Sequence, residues 1–298
     1  MTCMAEIASD PGACEDKAVA ALENLGVLGR QLGASSWEIT LQSDQVSTGR
    51  ARIDDGMIRF AAPLVGPQWP PERMWEMLER NGLMGPGLRF GLSGAHRAVV
   101  IGETVLEGSS DVDLRVRRLI GGMTTLDCGE NAEYTAAAVD PAALCEEAGW
   151  EFVRRREAIV VRLEANRHGI GLKPAAIPFS ATVHAEKEGL RCAVELATDD
   201  LPLGTPNRSA LAALLMQTGN QIRLVRPAAR LVDGRSIVEF ESRLLSSASA
   251  FELSQTLCAL SVAVRLCGPE AAALYRDSDL AGEFLRIRFP SHVGLGIS

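Results

Sequence analysis

The residues of this 298-residue chain that could do chemistry fall into four groupings. Gly91-Leu92-Ser93-Gly94 places a serine between glycines, as a nucleophile on a sharp turn would require. A strand-to-helix elbow needs G-x-S-x-G, however, and here the second glycine comes one residue early in a segment that reads as a hairpin. The histidines His96, His168, His184 and His292 lie far apart, without the i, i+4 pair that puts two imidazoles on one helix face for a metal. Carboxylates pair as Asp54-Asp55, Glu146-Glu147 and Asp199-Asp200. Each pair reads as a turn or a helix end, whereas an acid–base couple must converge in a pocket. Arg154-Arg155-Arg156 is the dense basic run. On a strand it alternates faces, and Glu195 is the expected neutralising partner across the sheet, with an anionic ligand as the alternative.

Seven cysteines, at 3, 14, 128, 145, 192, 258 and 267, are scattered without C-x-x-C spacing, which disfavours a zinc site or a redox dithiol. Cys192 and Cys258 read as small core hydrophobes, and the pattern suits a reducing cytoplasm. Neither a phosphate-binding G-x-x-x-x-G-K-[ST] nor a dinucleotide G-x-G-x-x-G occurs. No catalytic, cofactor-binding or metal-binding residue is therefore expected, nor any cofactor. The chain reads as a non-enzyme.

Composition narrows the partners. Hydrophobic residues at 47% and charged ones at 23% describe a globular chain. Net charge is −8, with 12 basic and 19 acidic side chains in residues 1–139 against 18 and 19 in residues 140–298. That balance, with only 5% aromatics, argues against nucleic acid and anionic membranes as partners. Arginine outnumbers lysine, which occurs only at 17, 173 and 187, as a GC-rich genome would dictate. Residues 1–17 lack the basic and apolar regions of an export signal. The apolar stretch 251–267 carries only Glu252 and Arg265 as charges, yet falls short of the ~20 residues of a span, so a buried or interfacial helix is expected.

The elements that must position these residues occur twice. Trp37-Glu38-Ile39-Thr40 resembles Trp150-Glu151-Phe152-Val153; Leu88-Arg89-Phe90-Gly91 resembles Ile222-Arg223-Leu224-Val225; Arg97-Ala98-Val99-Val100 resembles Arg235-Ser236-Ile237-Val238. The offset grows from 113 to 134 and then 138, as an insertion within 166–178 would require.

Periodicity gives the first copy a helix over 16–32, alternating strands at 37–41, 51–53 and 57–62, and a helix from Pro70-Pro71 to Asn81-Gly82. A hairpin at 88–92 and 97–106 and a helix over 110–126, capped by Ser110 and Asp113, complete it. The second copy follows with a helix at 141–148, a strand over 150–163, and a hairpin at 179–185 and 190–197. Then come a helix at 206–218, strands at 222–225 and 236–244 around Asp233-Gly234, and the apolar helix opened by Ser249 and Glu252 as a capping box. Gly268-Pro269 is expected to break that helix before a last one over 270–284. The fold class is thus α+β: two tandem α-β(3)-α-β(2)-α modules, 1–139 and 140–298, each an antiparallel sheet covered by helices.

This element order, module length and acidic charge resemble the class I type III secretion chaperones and their wider superfamily, which includes YbjN-like proteins. The resemblance covers about 16–128 and 141–267. It implies small acidic modules that pair as a dimer and hold a disordered segment of another protein; here the dimer would be fused into one chain with a pseudo-two-fold axis, a monomeric pseudo-dimer. In that family the helix between the two sheet portions helps build the dimer interface, which falls here on Met74, Trp75, Met77 and Leu78 and on Leu211, Leu214, Leu215 and Thr218. Either these faces meet, or each helix covers its own sheet. The expected function is protein binding without catalysis. A scaffolding pair without a secretion link, and a small-ligand site at the domain junction, are the alternatives.

Overall fold

Alternation shapes the middle of the first sheet. In β3 (Gly49–Asp54) and β4 (Met57–Pro63) every second residue is buried, and the turn between them runs through Asp55 and Gly56, both at positive φ (52° and 67°), which matches the twist of the paired strands. The computed structural model describes residues 11–290 except 47, 67–68, 94–96, 108, 110, 127–138, 157, 164–178, 188, 198–204 and 233–234. Among them the chain is α+β, with two six-stranded antiparallel sheets in tandem and seven helices.

The first half runs α1 (Pro11–Asn24), β1 (Leu28–Gly33), β2 (Ser36–Ile39), β3, β4, a 3-10 turn (Pro71–Arg73) leading into α2 (Met74–Asn81), β5 (Leu88–Leu92), β6 (Ala98–Val105) and α3 (Val112–Thr125). The second runs α4 (Pro141–Glu147), β7 (Phe152–Arg155), β8 (Ala158–Leu163), β9 (Phe179–Glu186), β10 (Gly189–Ala197), α5 (Pro206–Gln221), β11 (Arg226–Val232), β12 (Arg235–Leu245), α6 (Ala250–Arg276) and α7 (Ser278–Arg288). Both sheets carry one strand order, β1-β2-β3-β4-β6-β5 and β7-β8-β9-β10-β12-β11.

Each half thus has four strands, not three, ahead of its middle helix. In the first, the helix expected over 16–32 ends at Asn24. Gly26 at φ 67° stops it, and Leu28 and Leu32, spaced equally well for a helix, lie on β1. In the second, the single strand expected over 150–163 folds back through Arg156, at φ 49°, into β7 and β8. α6 passes through Gly268-Pro269 unbroken and ends at the Asp277 cap; the exposed Pro269 removes one main-chain donor without bending the chain out of the helix. α3 starts from Asp111, and Ser110 lies outside the described residues. So do the expected insertion at 166–178 and the turn at Asp233-Gly234.

Helices cover one face of each sheet, α1 and α3 in the first half, α4 and α6 in the second. β5 and β6 are buried at every residue, because their other face meets the opposite half. The apolar core is continuous through both halves, with Phe60, Phe90, Phe240 and Phe289 among its largest fully buried side chains.

Candidate functional site

The middle helices pack on each other, and each also packs on an outer strand of the opposite half, α2 on β11 and α5 on β5. On α2, Met74, Trp75, Met77 and Leu78 are buried; on α5, Leu211, Leu214 and Leu215 are buried, and half-buried Thr218 donates its hydroxyl to the Leu214 carbonyl at 2.9 Å. The Arg208 guanidinium lies 4.1 Å over the Trp75 ring, whose Nε1–H donates to Glu79 at 2.9 Å. Buried Asn81 accepts from the Phe90 N–H at 2.6 Å and donates to the Pro227 carbonyl at 2.9 Å, stitching the end of α2 to both sheets.

Beside the helices the junction is ionic. Arg89 pairs in register with Ile101 and through it with Ala61, the fifth residue of β4; Arg226 pairs with Glu241 and through it with Ala193, the fifth residue of β10. The two arginines are therefore register equivalents, and their roles are reciprocal. Arg89 donates to the Gly219 and Ile222 carbonyls at 2.9 and 3.1 Å, and Arg226 to the Gly85 and Leu88 carbonyls at 2.9 and 2.8 Å. This places Arg226, not Arg223, opposite Arg89 in the repeat. Trp37 on β2 and Trp150 ahead of β7 are likewise not equivalent.

Each arginine has its carboxylate. Glu103 receives Arg89 at 2.8 Å, Arg59 at 3.1 Å and the N–H of Leu224 at 2.8 Å. Leu224 sits at φ 62°, a region that a branched side chain rarely adopts, at the register position of Gly87 at φ 74°. Glu241 lies among Arg191 at 2.6 Å, Arg226 at 2.7 Å and Arg243 at 3.8 Å, while Glu239 holds Arg191 and, at 2.6 Å, Arg230. Burial opposes the charge on both Glu103 and Glu241, yet the surrounding guanidiniums prevail: Glu103 lies below the ordinary carboxylate range and Glu241 falls to about 2. Glu252 behaves oppositely. Ser249 caps α6 as expected, but the Glu252 carboxylate leaves the capping box for Arg115 of α3, at 2.8 Å; burial lifts its pKa, against that pairing.

A cavity of about 220 Å³ lies in this junction. Arg89, Arg115, Arg118, Arg226 and Arg243 line it, facing the carboxylates of Glu103 and Glu252 and a glycine-rich wall at Gly85, Gly87, Gly121 and Gly122. These charges were invisible to motif reading because they are spread over α3, β5, β6, β11, β12 and α6. The signal available was a charged residue within an otherwise apolar strand, as in the 98–105 segment around Glu103.

Away from the junction, among the described residues β1 and β7 each form an outer edge with a strand on one side only. Their side chains are exposed except for half-buried Leu28 and Phe152. Arg154, Arg155 and Arg156 stand exposed at the second edge, with Arg154 packed over the Phe152 ring at 6.0 Å. Glu195 does not neutralise them, because β8 and β9 lie between β7 and β10.

The other residues considered for chemistry do not converge. Ser93 accepts the Arg97 N–H at 3.3 Å and closes the β5–β6 hairpin. Asp54 and Asp55 pair with Arg223 at 2.9 and 3.3 Å, while Glu146 and Glu147 are exposed at the end of α4. Half-buried His184 on β9 is pushed towards its neutral form by burial and by Arg191. Gly94, His96, His168, Asp199, Asp200 and His292 lie outside the described residues. Among those described, no group of three or more His, Cys, Asp or Glu side chains could hold a metal. Cys192 is buried, but Cys258 is exposed on α6, contrary to its apolar sequence context, because its helical position faces away from α5 and the sheet. α6 is long and apolar enough to cross a membrane, yet Leu253, Leu257, Leu260, Ala263 and Cys267 are buried inside the protein. No family model, curated protein or solved structure matches the chain.

Proposed function

We propose that the chain is a non-enzymatic protein-binding scaffold, a fused dimer of modules 1–139 and 140–298 about a pseudo-two-fold axis, that holds an extended segment of another protein along an open sheet edge. The observation that carries this reading is the unequal treatment of the four sheet edges. β5 and β11 are covered by the opposite half's middle helix, whereas among the described residues nothing pairs with the outer side of β1 or β7, and their side chains are mostly exposed. An open edge offers a row of main-chain donors and acceptors to an added strand. The β7 edge, with Arg154 and Arg155 exposed and Arg156 in the following turn, suits an acidic segment. Reciprocal clamping by Arg89 and Arg226 supports the fused-dimer reading and keeps both edges preorganised, which lowers the ordering cost of binding. The two-sheet tandem arrangement is the support for the likeness to secretion chaperones, whose partners are disordered segments, although each half carries one strand more than that order; the scattered cysteines without C-x-x-C spacing support a reducing cytoplasm as the setting.

The test is affinity capture from native lysate followed by hydrogen exchange on the complex. A captured partner should protect main-chain amides in 152–155 or 28–33, and Arg154→Glu with Arg155→Glu should release an acidic partner. Failure to capture any partner, or a partner that protects neither edge, sinks the proposal. A small-ligand site at the junction is a second reading, favoured by the arginine-lined cavity.

A further inference from the structure

We infer that the β7 edge accepts an antiparallel strand carrying two consecutive acidic residues followed by two apolar ones. The inference rests on the edge-binding reading and narrows it to one edge and one partner chemistry.

Four residues set the pattern. Side chains alternate along β7, so Phe152 and Arg154 share one face and Val153 and Arg155 the other. Half-buried Phe152 packs against the core and carries Arg154 over its ring, while Val153 is 63% exposed beside Val160, its partner on β8. On both faces the strand is apolar where it begins and cationic where it ends, and exposed Arg156 adds a third guanidinium in the turn. Among the described residues none of these three arginines has an ion-pair partner.

A strand added to this edge lays each side chain beside the one opposite it, at Cβ distances of about 4.5–5.5 Å. Carboxylates opposite Arg155 and Arg154 meet exposed guanidiniums whose forked donors match them. Apolar side chains opposite Val153 and Phe152 remove exposed hydrocarbon from water. Neighbouring strands in this sheet pair antiparallel, β7 with β8 included. An added chain that continues the pattern passes Arg155 first and Phe152 last, which fixes the order acid, acid, apolar, apolar.

The other edge lacks this pattern. β1 reaches β2 through two register shifts, and its exposed residues are Gly29, Arg30, Gln31, Leu32 and Gly33, with one charge among them. A second copy does not suit β7 either, because edge-to-edge pairing crowds both sets of arginines together. Charge that blocks such pairing accounts for the arginines but not for the exposed Val153 beside them.

The test uses the full chain with labelled peptides, read by fluorescence anisotropy and hydrogen exchange. Thr-Thr-Glu-Glu-Val-Phe-Thr-Thr is expected to bind about tenfold tighter than Thr-Thr-Glu-Val-Glu-Phe-Thr-Thr, which has the same composition, and to protect amides in 152–155. Arg154→Glu with Arg155→Glu, both at exposed sites, should lose that preference and favour a peptide with Lys-Lys in place of Glu-Glu. Equal binding of the two acidic peptides, protection of 28–33 in place of 152–155, or an unchanged preference in the double variant overturns the inference. Tighter binding of the reversed Thr-Thr-Phe-Val-Glu-Glu-Thr-Thr, which fits a parallel strand, does so too. A native partner that protects 152–155 without the acid–apolar order overturns this inference alone, whereas one that protects neither edge overturns the edge-binding reading with it.

Discussion

Arg89 and Arg226 stand at one register position in two different sheets, and each donates to main-chain carbonyls of the opposite half. The contact between the halves is thus organised by charge as well as by the apolar faces of α2 and α5. A buried arginine that binds both a carboxylate and main-chain carbonyls of the opposite half, at the end of α5 for Arg89 and at the start of β5 for Arg226, fixes one orientation, because any rotation of the halves leaves several groups unsatisfied together.

Removing one of these arginines therefore exposes the cost of its partners. Arg226→Met leaves Glu241 short of a counter-ion and frees the Gly85 and Leu88 carbonyls. A loss of about 3–5 kcal/mol in urea unfolding is expected. Adding Glu241→Met to the same chain should recover part of that loss, since a buried carboxylate left with less counter-charge disappears while Arg191 keeps Glu239; a strictly additive double variant would show that the two groups do not act as a pair.

Trp75 tests the apolar side of the same contact. Truncation to alanine empties a buried indole site and removes the support for Arg208, at a cost of about 3–5 kcal/mol. Trp75→Glu should additionally loosen the halves and raise the hydrodynamic radius in sedimentation. Arg208→Ala should cost only about 1 kcal/mol, the scale of a partly exposed cation–π contact. An unchanged radius and melting temperature for Trp75→Glu would show that α2 is not needed to hold the halves together.

Acid should find the ionic network before the apolar core. With Glu241 at about 2 in the folded chain against ~4.3 unfolded, its stabilisation is fully present above the unfolded value and is lost as pH falls towards the folded one. Glu103 shifts the same way, while Glu252, raised by burial, works in the opposite sense and is relieved by acid. Stability should hold from pH 7 to 5 and drop between about 4 and 2, by on the order of 3 kcal/mol from Glu241 alone. Glu241→Gln should start lower at neutral pH and fall less steeply; a parallel curve would place the acid sensitivity elsewhere.

How much of this was legible depended on whether the local signal was unique. Asp55-Gly56 between alternating segments specifies its hairpin, and Pro70-Pro71 with Asn81-Gly82 bounds the middle helix, so those elements stand where expected. Leu28 and Leu32 fit helix and strand equally, and only Gly26 decides between them through its positive φ. The β7–β8 turn uses Arg156 in place of Gly, Asn or Asp, so nothing local announced it. The junction was legible only in its apolar half. Leu211, Leu214 and Leu215 recur at helical spacing, whereas Arg89, Glu103, Arg226 and Glu241 converge only once both sheets have folded and met.

Thiol chemistry offers a separate check on where α6 lies. Among the described cysteines, Cys14, Cys145, Cys192 and Cys267 are buried and Cys258 is exposed. Burial raises the Cys145 and Cys267 thiols to about 11 and pushes Cys192 higher still, so little thiolate is available at neutral pH and access is closed as well. Cys258 is also raised by burial, but its sulfur is within reach of solvent. Alkylation with iodoacetamide at pH 8 and peptide mapping should therefore label Cys258 well before Cys145, Cys192 or Cys267, which should react only as the protein unfolds. Early labelling of Cys267 would mean that α6 is turned or detached from α5, and with it the packing that holds the second sheet against the junction.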